Sequence, residues 1–427
     1  MISEQTWYAA SAGSLAFSPL GPAAREVDVA IVGGGFAGLA TARGLQERGV
    51  KGVMVLEAQG IGHGASGRNG GFVFGGYSRG PGALLKDLGP ERARSLYALT
   101  REAVGTIRHR IETLGIDCKR VEGGALWVDW FKTPASLAGL RAEAALLQQQ
   151  FGVRWDEVEA PQVRSWLHSE RYGPALLERD AFHFHPLKYA RGLAAAIQRE
   201  GGTVHEHSGV TAVTRLAQGW QLALQGGGTV RAQRLVMAGG GYLQSGLLNR
   251  LSRARLPIAT YVMVTEPLPE ALQPVHTPAA IYDNRFAFDY YRKLQDGRLL
   301  WGGRISILER EPARIAALLR QDLLKVYPQL HDVKIEFAWG GLMSYARHQM
   351  PQLGELAPGL WYAQSFGGHG VAPTTVAGEL LAEALSGRQP LDAVWRQYGL
   401  SPVYGPAGLL AAQTQYSWAE FRDWLRS

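Results

Sequence analysis

Apolar residues along the chain follow two spacings, and these divide it into alternating strands and helices. Val27, Val29, Ile31 and Val32 form a short β-branched run that predicts a buried strand. Leu39, Ala42 and Leu45 continue at helical spacing, and Val53–Leu56 predicts a second strand ending on Glu57. Over 90–114, Leu96, Leu99, Ala103, Ile107, Ile111 and Leu114 mark an amphipathic helix, followed by a strand over 125–130 and a helix over 135–147. A helix over 187–198 leads to strands over 203–213, 220–224 and 234–241. Long strands follow over 257–266 and 286–304, the latter broken by a turn at Gln295, Asp296 and Gly297. A helix over 311–327 carries Pro312 in its first turn. The stretch 360–385 reads strand, glycine loop, helix, with the helix beginning near Thr374.

The turn between the first strand and helix carries Gly33, Gly35 and Gly38 in G-x-G-x-x-G spacing, with Phe36 and Ala37 between them. Gly33 permits the tight turn, Gly35 lets a pyrophosphate approach the backbone, and Gly38 lets the helix pack on the strand. The positive end of the helix then points at the phosphates, and Glu57 is placed for a ribose hydroxyl. Strand, glycines, helix, second strand and acid occur in order, so a dinucleotide is expected here. Two further glycine-rich stretches follow the same logic. Gly64, Ala65, Gly70 and Gly71 lie in a run of small residues that lets the backbone pass close to a flat ligand, with Ser66 and Arg68 facing its oxygens. Gly239 and Gly240 end the strand over 234–241 in the same way.

Length and charge narrow the class. At 427 residues the chain exceeds one ordinary core, and a second domain is expected from about residue 86. The net charge of +7 is scattered, with no Lys/Arg block to bind nucleic acid. Cys118 is the single cysteine, which excludes an internal disulfide and suits a cytoplasmic location. No window is long and apolar enough for a membrane span. The C-terminal stretch with Trp418, Phe421, Trp424 and Leu425 reads as a helix docked on its own protein rather than a membrane anchor. Trp7 and Tyr8 are expected to pin down an N-terminal arm. His183 and His185 alternate as on a strand, but no third ligand accompanies them, so no metal site is expected. His63 is read as a loop histidine rather than a covalent cofactor anchor or a base.

These residues resemble the D-amino-acid-oxidase-like superfamily of FAD-dependent amine oxidoreductases, most of all γ-glutamylputrescine oxidoreductases. The likeness covers nearly the whole chain. It is carried by VGGGFAGL with Glu57, GASGRNGG at 64–71, HPLKYARGLA at 185–194, YYRKLQDGRLLWGGR at 290–304, WGGLMSYARHQMPQLG at 339–354 and FGGHGVAPT at 366–374. The resemblance implies an α/β fold: a discontinuous Rossmann-like FAD-binding domain beside an α+β substrate domain, whose mixed or antiparallel sheet covers the flavin. The expected ranges are an arm over 1–26, the FAD-binding domain over 27–85, 182–250 and 340–395, the substrate domain over 86–181 and 251–339, and a helical extension over 396–427.

By the same resemblance Gly33, Gly35 and Gly38 hold the pyrophosphate, Glu57 with Ala58 the adenosine ribose, and Val210 the adenine through its backbone. Ser66, Arg68, Asn69 and Gly70 lie along the ribityl chain and flavin. Gly367, Gly368, Gly370 and Val371 meet the pyrimidine edge, where a helix dipole stabilises the reduced flavin anion. Two departures stand out. Phe72 replaces the glutamine common in relatives, and no cysteine stands at 342–344, where covalent members attach the flavin, so FAD is expected to be non-covalent. Some oxidases place a lysine over the flavin; Leu300 stands there, leaving oxidase and dehydrogenase open.

The activity implied is oxidation of an amine C–N bond, with O2 or another acceptor. A γ-glutamylated polyamine and a secondary-amine amino acid are the alternative substrates, and a flavin-binding subunit without turnover is the alternative of another class. A nicotinamide enzyme is disfavoured by the second and third glycine loops. Candidate catalytic or substrate-holding residues are Tyr290, Arg292 and His369. Arg292 reads equally as a partner for a substrate carboxylate or as part of an ion pair. Tyr290 and Tyr291 face opposite ways on a strand, so at most one reaches the ligand.

Overall fold

The computed structural model of the protein describes residues 2–3 and 5–426, so the outermost positions of the expected arm and extension lie outside the described residues. The strand Arg25–Val32 is the centre of the first sheet. It pairs in parallel with Val53–Leu56 on one side and with Thr229–Met237 on the other. Thr203–His205 and Leu360–Gln364 extend the sheet in parallel, and the antiparallel strand Gln352–Ala357 forms an edge. Three distant segments, 25–56, 203–237 and 352–364, therefore supply one sheet. Parallel strands need helices on their faces, and both faces of the central strand are covered. Val29 and Ile31 belong to the helix-facing core; Ala30 and Val32 belong to the core under the hairpin Val210–Arg215 and Trp220–Leu224.

Phe36–Glu47 and Val371–Leu385 are the two helices that matter for function, and they pack against each other closely. A Cβ on Gly378 would stand 2.4 Å from that of Ala40, and one on Gly44 would stand 2.8 Å from that of Ala382. Only small residues permit this approach. The second helix begins at Val371, three residues before the expected start at Thr374, because Gly370 is already its cap.

The second sheet has eight strands and is antiparallel except where Ala280–Asp283 runs parallel to Ala125–Val128. Its far face packs on the helix Pro312–Val326, with Tyr291, Trp301 and Tyr327 in the core. The long strand expected over 286–304 is two, Tyr290–Lys293 and Leu299–Ser306, joined through the turn.

Two expected boundaries differ from the packing. Residue 86 falls within Pro81–Thr113, which bends at Gly89 and buries Leu84, Leu96, Val104, Ile107 and Ile111 in the core of the first sheet. Buried Arg110 ties this helix to Glu47 at 2.6 Å and to Glu379, one acid on each of the paired helices. Residues 340–345 complete the strand Ile335–Tyr345 of the second sheet rather than the first.

The N-terminal arm is anchored by the helix Trp7–Ser11, in which Tyr8 is fully buried. The C-terminal helix Gly405–Arg426 is docked on the protein, but through the face opposite to the one expected. Ala419 is buried, whereas Trp418 is 60% exposed and Trp424 68% exposed. Ala419 lies about 100° from Trp418 around the helix, and the aromatic stripe turns outward. Among the described residues no helix is long and apolar enough to cross a membrane.

Candidate active site

A single cavity of about 710 Å³ runs from the glycine turn of the first sheet to the inner face of the second. Gly33, Gly35, Phe36, Ala37, Glu57, Ala58 and Val210 line one end. Gly33 adopts φ +116°, and a Cβ there would lie 2.5 Å from the carbonyl oxygen of Ala238. The helix Phe36–Glu47 has no side-chain cap at Gly35; its Phe36 N–H donates to Ser66 Oγ at 2.8 Å. Glu57 receives the N–H of Gly34 at 2.7 Å and that of Gln59 at 2.9 Å. Burial raises its pKa, and these donors hold it down in part. Each carboxylate oxygen keeps a second lone pair for a hydroxyl donor.

The middle of the cavity is lined by Gly64, Ala65, Ser66, Arg68, Asn69 and Gly70, with Gly239 and Gly240 opposite. Asn69 folds the loop on itself, donating to Ala65 and Ser66 carbonyls and accepting from Gly71 N–H at 2.8 Å. Arg68 lines the cavity, but its guanidinium is engaged: Nε donates to His63 O at 2.7 Å and Nη1 to Gly340 O at 3.0 Å. It binds this loop to the second sheet. His63 is exposed at the rim beside Tyr242.

At the other end Gly367, Gly368, Gly370 and Val371 bring the uncapped start of Val371–Leu385 to the cavity. His369 also lines it. Its Nε2–H donates to Gly75 O at 2.8 Å, and burial lowers its pKa to about 4, so the ring is neutral at neutral pH. Phe74 meets His369 edge-on at 4.3 Å, and Phe72 meets Tyr290 edge-on at 5.7 Å. Tyr282, Phe286, Phe288 and Tyr416 complete this aromatic end. Tyr290 faces it while Tyr291 is buried on the far side of the sheet, as strand alternation requires.

Three expected contact residues do not line the cavity. Gly38 lies beneath it, where a Cβ would come 2.0 Å from Gly33 O; its part is helix-on-strand packing. Gly71 turns away at φ +81°, against Phe184 O and Arg292. Arg292 is 4% exposed and spends its donors on Gly70 O (2.8 Å), Phe184 O (2.9 Å) and Tyr8 Oη (3.1 Å), with Nη1 3.3 Å from His183 Nδ1. Its fork is taken up by two backbone carbonyls, the Tyr8 hydroxyl and the His183 ring rather than by a carboxylate. Leu300 is buried in a core with Val262 and Trp339 instead of facing the cavity.

The histidine pair resolves into two structural contacts. His183 lies 2.9 Å from Pro278 O through Nε2, and His185 caps Pro186–Arg199 by accepting from Lys188 N–H at 3.2 Å. Burial first, and Arg292 second, push both down to about 3. Among the described residues no group of three or more His, Cys, Asp or Glu is placed to hold a metal.

Sequence reasoning missed Phe74, Tyr282, Tyr345, Tyr416 and Arg304. Arg304 had a weak signal, since it ends the YYRKLQDGRLLWGGR stretch; the aromatic residues sat in unremarkable strands and loops.

An elongated cavity with two uncapped helix starts, a buried acid at one end and rings at the other fits an extended dinucleotide whose flat end lies under the second sheet. The protein is an FAD-dependent oxidoreductase. Residues 28–384 match the DAO family, FAD dependent oxidoreductase, and the chain belongs to it. It is 38% identical over 392 residues to γ-glutamylputrescine oxidoreductase of Escherichia coli (strain K12), covering 90% of this chain and 89% of that one. Among solved structures, glycine oxidase from Bacillus cereus ATCC 14579 superposes with a TM-score of 0.73 at 21% identity, over 87% of this chain and 97% of that one. L-proline dehydrogenase from P. horikoshii gives 0.72 at 16%, over 88% and 100%. These two likenesses concern the fold.

Proposed function

We propose that the protein oxidises the C–N bond of an amine with a long, narrow body, of which γ-glutamylputrescine is the leading candidate. The observation that carries this reading is the continuity of one cavity from the glycine turn to an aromatic end, where among the described residues no carboxylate lines the wall. Among the described residues Glu57 is the only acid along the cavity, and it stands at the dinucleotide end. An amine at the aromatic end is therefore held by ring faces and shape rather than by an ion pair. Bound FAD supplies the acceptor for the hydride leaving the α carbon, and hydrolysis of the resulting imine gives aldehyde and amine.

The chain's own residues orient and shield. Tyr290 and Phe72 wall one side, and neutral His369 is fixed against Gly75 O on another. The amine must shed its proton before it can react, and burial among aromatic side chains favours that form. Much of the rate then comes from holding the C–H bond in line. The uncapped start of Val371–Leu385 favours negative charge developing beside it. The likeness to γ-glutamylputrescine oxidoreductase supports the substrate class, and the single buried cysteine supports a cytoplasmic, non-covalent flavoprotein. A second reading is oxidation of a secondary-amine amino acid; Arg304 lines the cavity, but its Nε and Nη2 donate to Asp322 at 2.6 and 3.0 Å, so it offers a substrate carboxylate only its remaining N–H groups.

The test is an absorption spectrum of purified protein, then anaerobic addition of γ-glutamylputrescine, sarcosine or pipecolate. Bleaching by γ-glutamylputrescine is expected. Bleaching only by the amino acids moves the assignment to the second reading. No bleaching by any amine at full FAD content makes the chain a flavin-binding subunit. Peroxide release on admitting air identifies O2 as acceptor.

A further inference from the structure

The C-terminal helix Gly405–Arg426 lies beyond the family match, which ends at residue 384, yet it reaches the cavity. Tyr416 lines the aromatic end together with Phe286 and Phe288, and the Tyr416 and Phe286 rings are 5.8 Å apart. Specific contacts hold the helix there. The N–H of Phe286 donates to Asp423 Oδ2 at 2.6 Å, and the N–H of Ile307 to Gln413 Oε1 at 3.1 Å. Ala419 is buried between them. Burial raises the Tyr416 phenol, and neighbouring Tyr345 pushes it the same way. Tyr345 Oη in turn accepts the N–H of Gly368 at 2.9 Å, on the loop that faces the flavin end. A ring supplied from outside the family core thus stands close to a side chain that touches the reacting end.

We propose that Tyr416 is a specificity-determining residue, and that the C-terminal helix is the outer wall that limits how long an unbranched amine the cavity admits. The proposal rests on the amine-oxidising reading above. A wall made of rings binds methylenes by apolar contact and an ammonium by its faces, and a wall fixed by three separate contacts sets a length limit rather than yielding to each ligand. Affinity in a homologous series should therefore climb and then break.

The experiment uses the FAD-loaded full chain under nitrogen with n-alkylamines from propylamine to octylamine. Flavin absorption reports binding as a perturbation and oxidation as bleaching. In the wild type, affinity rises about fourfold per methylene up to a break and then falls. Tyr416→Ala moves the break to longer amines and binds the first amine beyond it about tenfold more tightly, the gain of one to two accommodated methylenes. Tyr416→Phe keeps the break, and Trp424→Ala, on the exposed face of the same helix, leaves the whole series unchanged. If Tyr416→Ala loses FAD, Tyr416→Leu carries the same expectation, since it shortens the side chain and keeps apolar contact. A break that stays in place in a folded, FAD-loaded variant overturns the proposal while amine oxidation stands. A break that moves while neither the alkylamines nor γ-glutamylputrescine, sarcosine or pipecolate bleach the flavin keeps the wall and removes the amine-oxidising reading. No flavin response to any amine removes both.

Discussion

The two ends of the cavity are built from different materials. At the dinucleotide end the wall is backbone: Gly33 and Gly35 stand where main-chain N–H groups and a turn must come close to a ligand. At the aromatic end the wall is side chains, with Phe72, Tyr282, Tyr290 and Tyr416 arriving from segments up to 344 residues apart. A backbone wall demands particular residues at fixed spacing and tolerates little else. A ring wall demands only that some large side chain reach a point in space, which many sequences can satisfy.

The largest expected effect breaks the backbone end. Gly33→Ala forces a side chain into φ +116° and sets its Cβ 2.5 Å from a carbonyl oxygen that cannot step aside. We expect a loss of roughly 3 kcal/mol or more and no FAD retained on desalting. Gly35→Ala is the sharper companion. Its Cβ would meet only Ser66 Oγ, at 3.0 Å, so thermal stability should drop far less while FAD affinity falls. Equal losses in melting temperature for the two would mean that Gly35 serves the fold and not the ligand.

Arg292 tests the border between the two ends, and it sits next in size. Its guanidinium joins the loop at Gly70, the arm at Tyr8 and the segment at Phe184. Arg292→Ala leaves buried carbonyls without donors, at a cost of about 3 kcal/mol, and lysine cannot restore a forked arrangement. The expected outcome is lower stability and FAD content in both variants with unchanged KM ratios among amines. A selective rise in KM for carboxylate-bearing amines would return Arg292 to the substrate.

This residue also shows what was legible. The glycine spacing, the acid at Glu57 and the parallel core could be read directly, because each is a local rule about strand, turn and helix. Arg292 could not be placed, since a strand arginine beside two tyrosines reads the same whether it meets a ligand or two carbonyls and a buried hydroxyl. Gly38 was read from its spacing as a packing glycine and sits as one, but for Gly71 a run of small residues does not say whether the missing Cβ makes room for a ligand or for the protein itself. The outward turn of Trp418 and Trp424 was hidden for a similar reason: the periodicity marks an apolar stripe without saying which face is docked.

Buried ionisable groups give the comparison a pH axis. Glu178, in the second sheet near Tyr97 and Tyr282, is pushed up to about 8 by burial and by Asp180. Between pH 4.5 and 8 the unfolded chain has released this proton while the folded chain keeps it, so stability falls as pH rises through that window. His183, His185 and His369 act in the opposite sense. Below about 6.5 the unfolded chain takes up protons that the folded one refuses until about 3 to 4, so stability falls as pH drops. Melting temperature should therefore peak between these limbs. Glu178→Gln should flatten the upper limb, a gain on the order of 2 kcal/mol at pH 8 relative to pH 5. An unchanged upper limb would mean that Glu178 is ionised in the folded protein.

The smallest effect separates shape from polarity at the aromatic end. Phe72, at the position where the resemblance leads one to expect glutamine, meets Tyr290 and Phe74 edge-on at 5.7 and 6.4 Å. Phe72→Gln removes both ring contacts, so about 1 kcal/mol of stability should go, while the cavity leaves room for water to reach the amide. Its functional consequence is selective. An amide beside Tyr290 offers hydrogen bonds that a ring does not, so KM for γ-glutamylputrescine should fall several-fold relative to hexylamine, with kcat little changed. A ratio that stays put would show that the ring at Phe72 supports Tyr290 without meeting the substrate. The wall recognising the amine would then begin one layer further in, at Tyr290 itself.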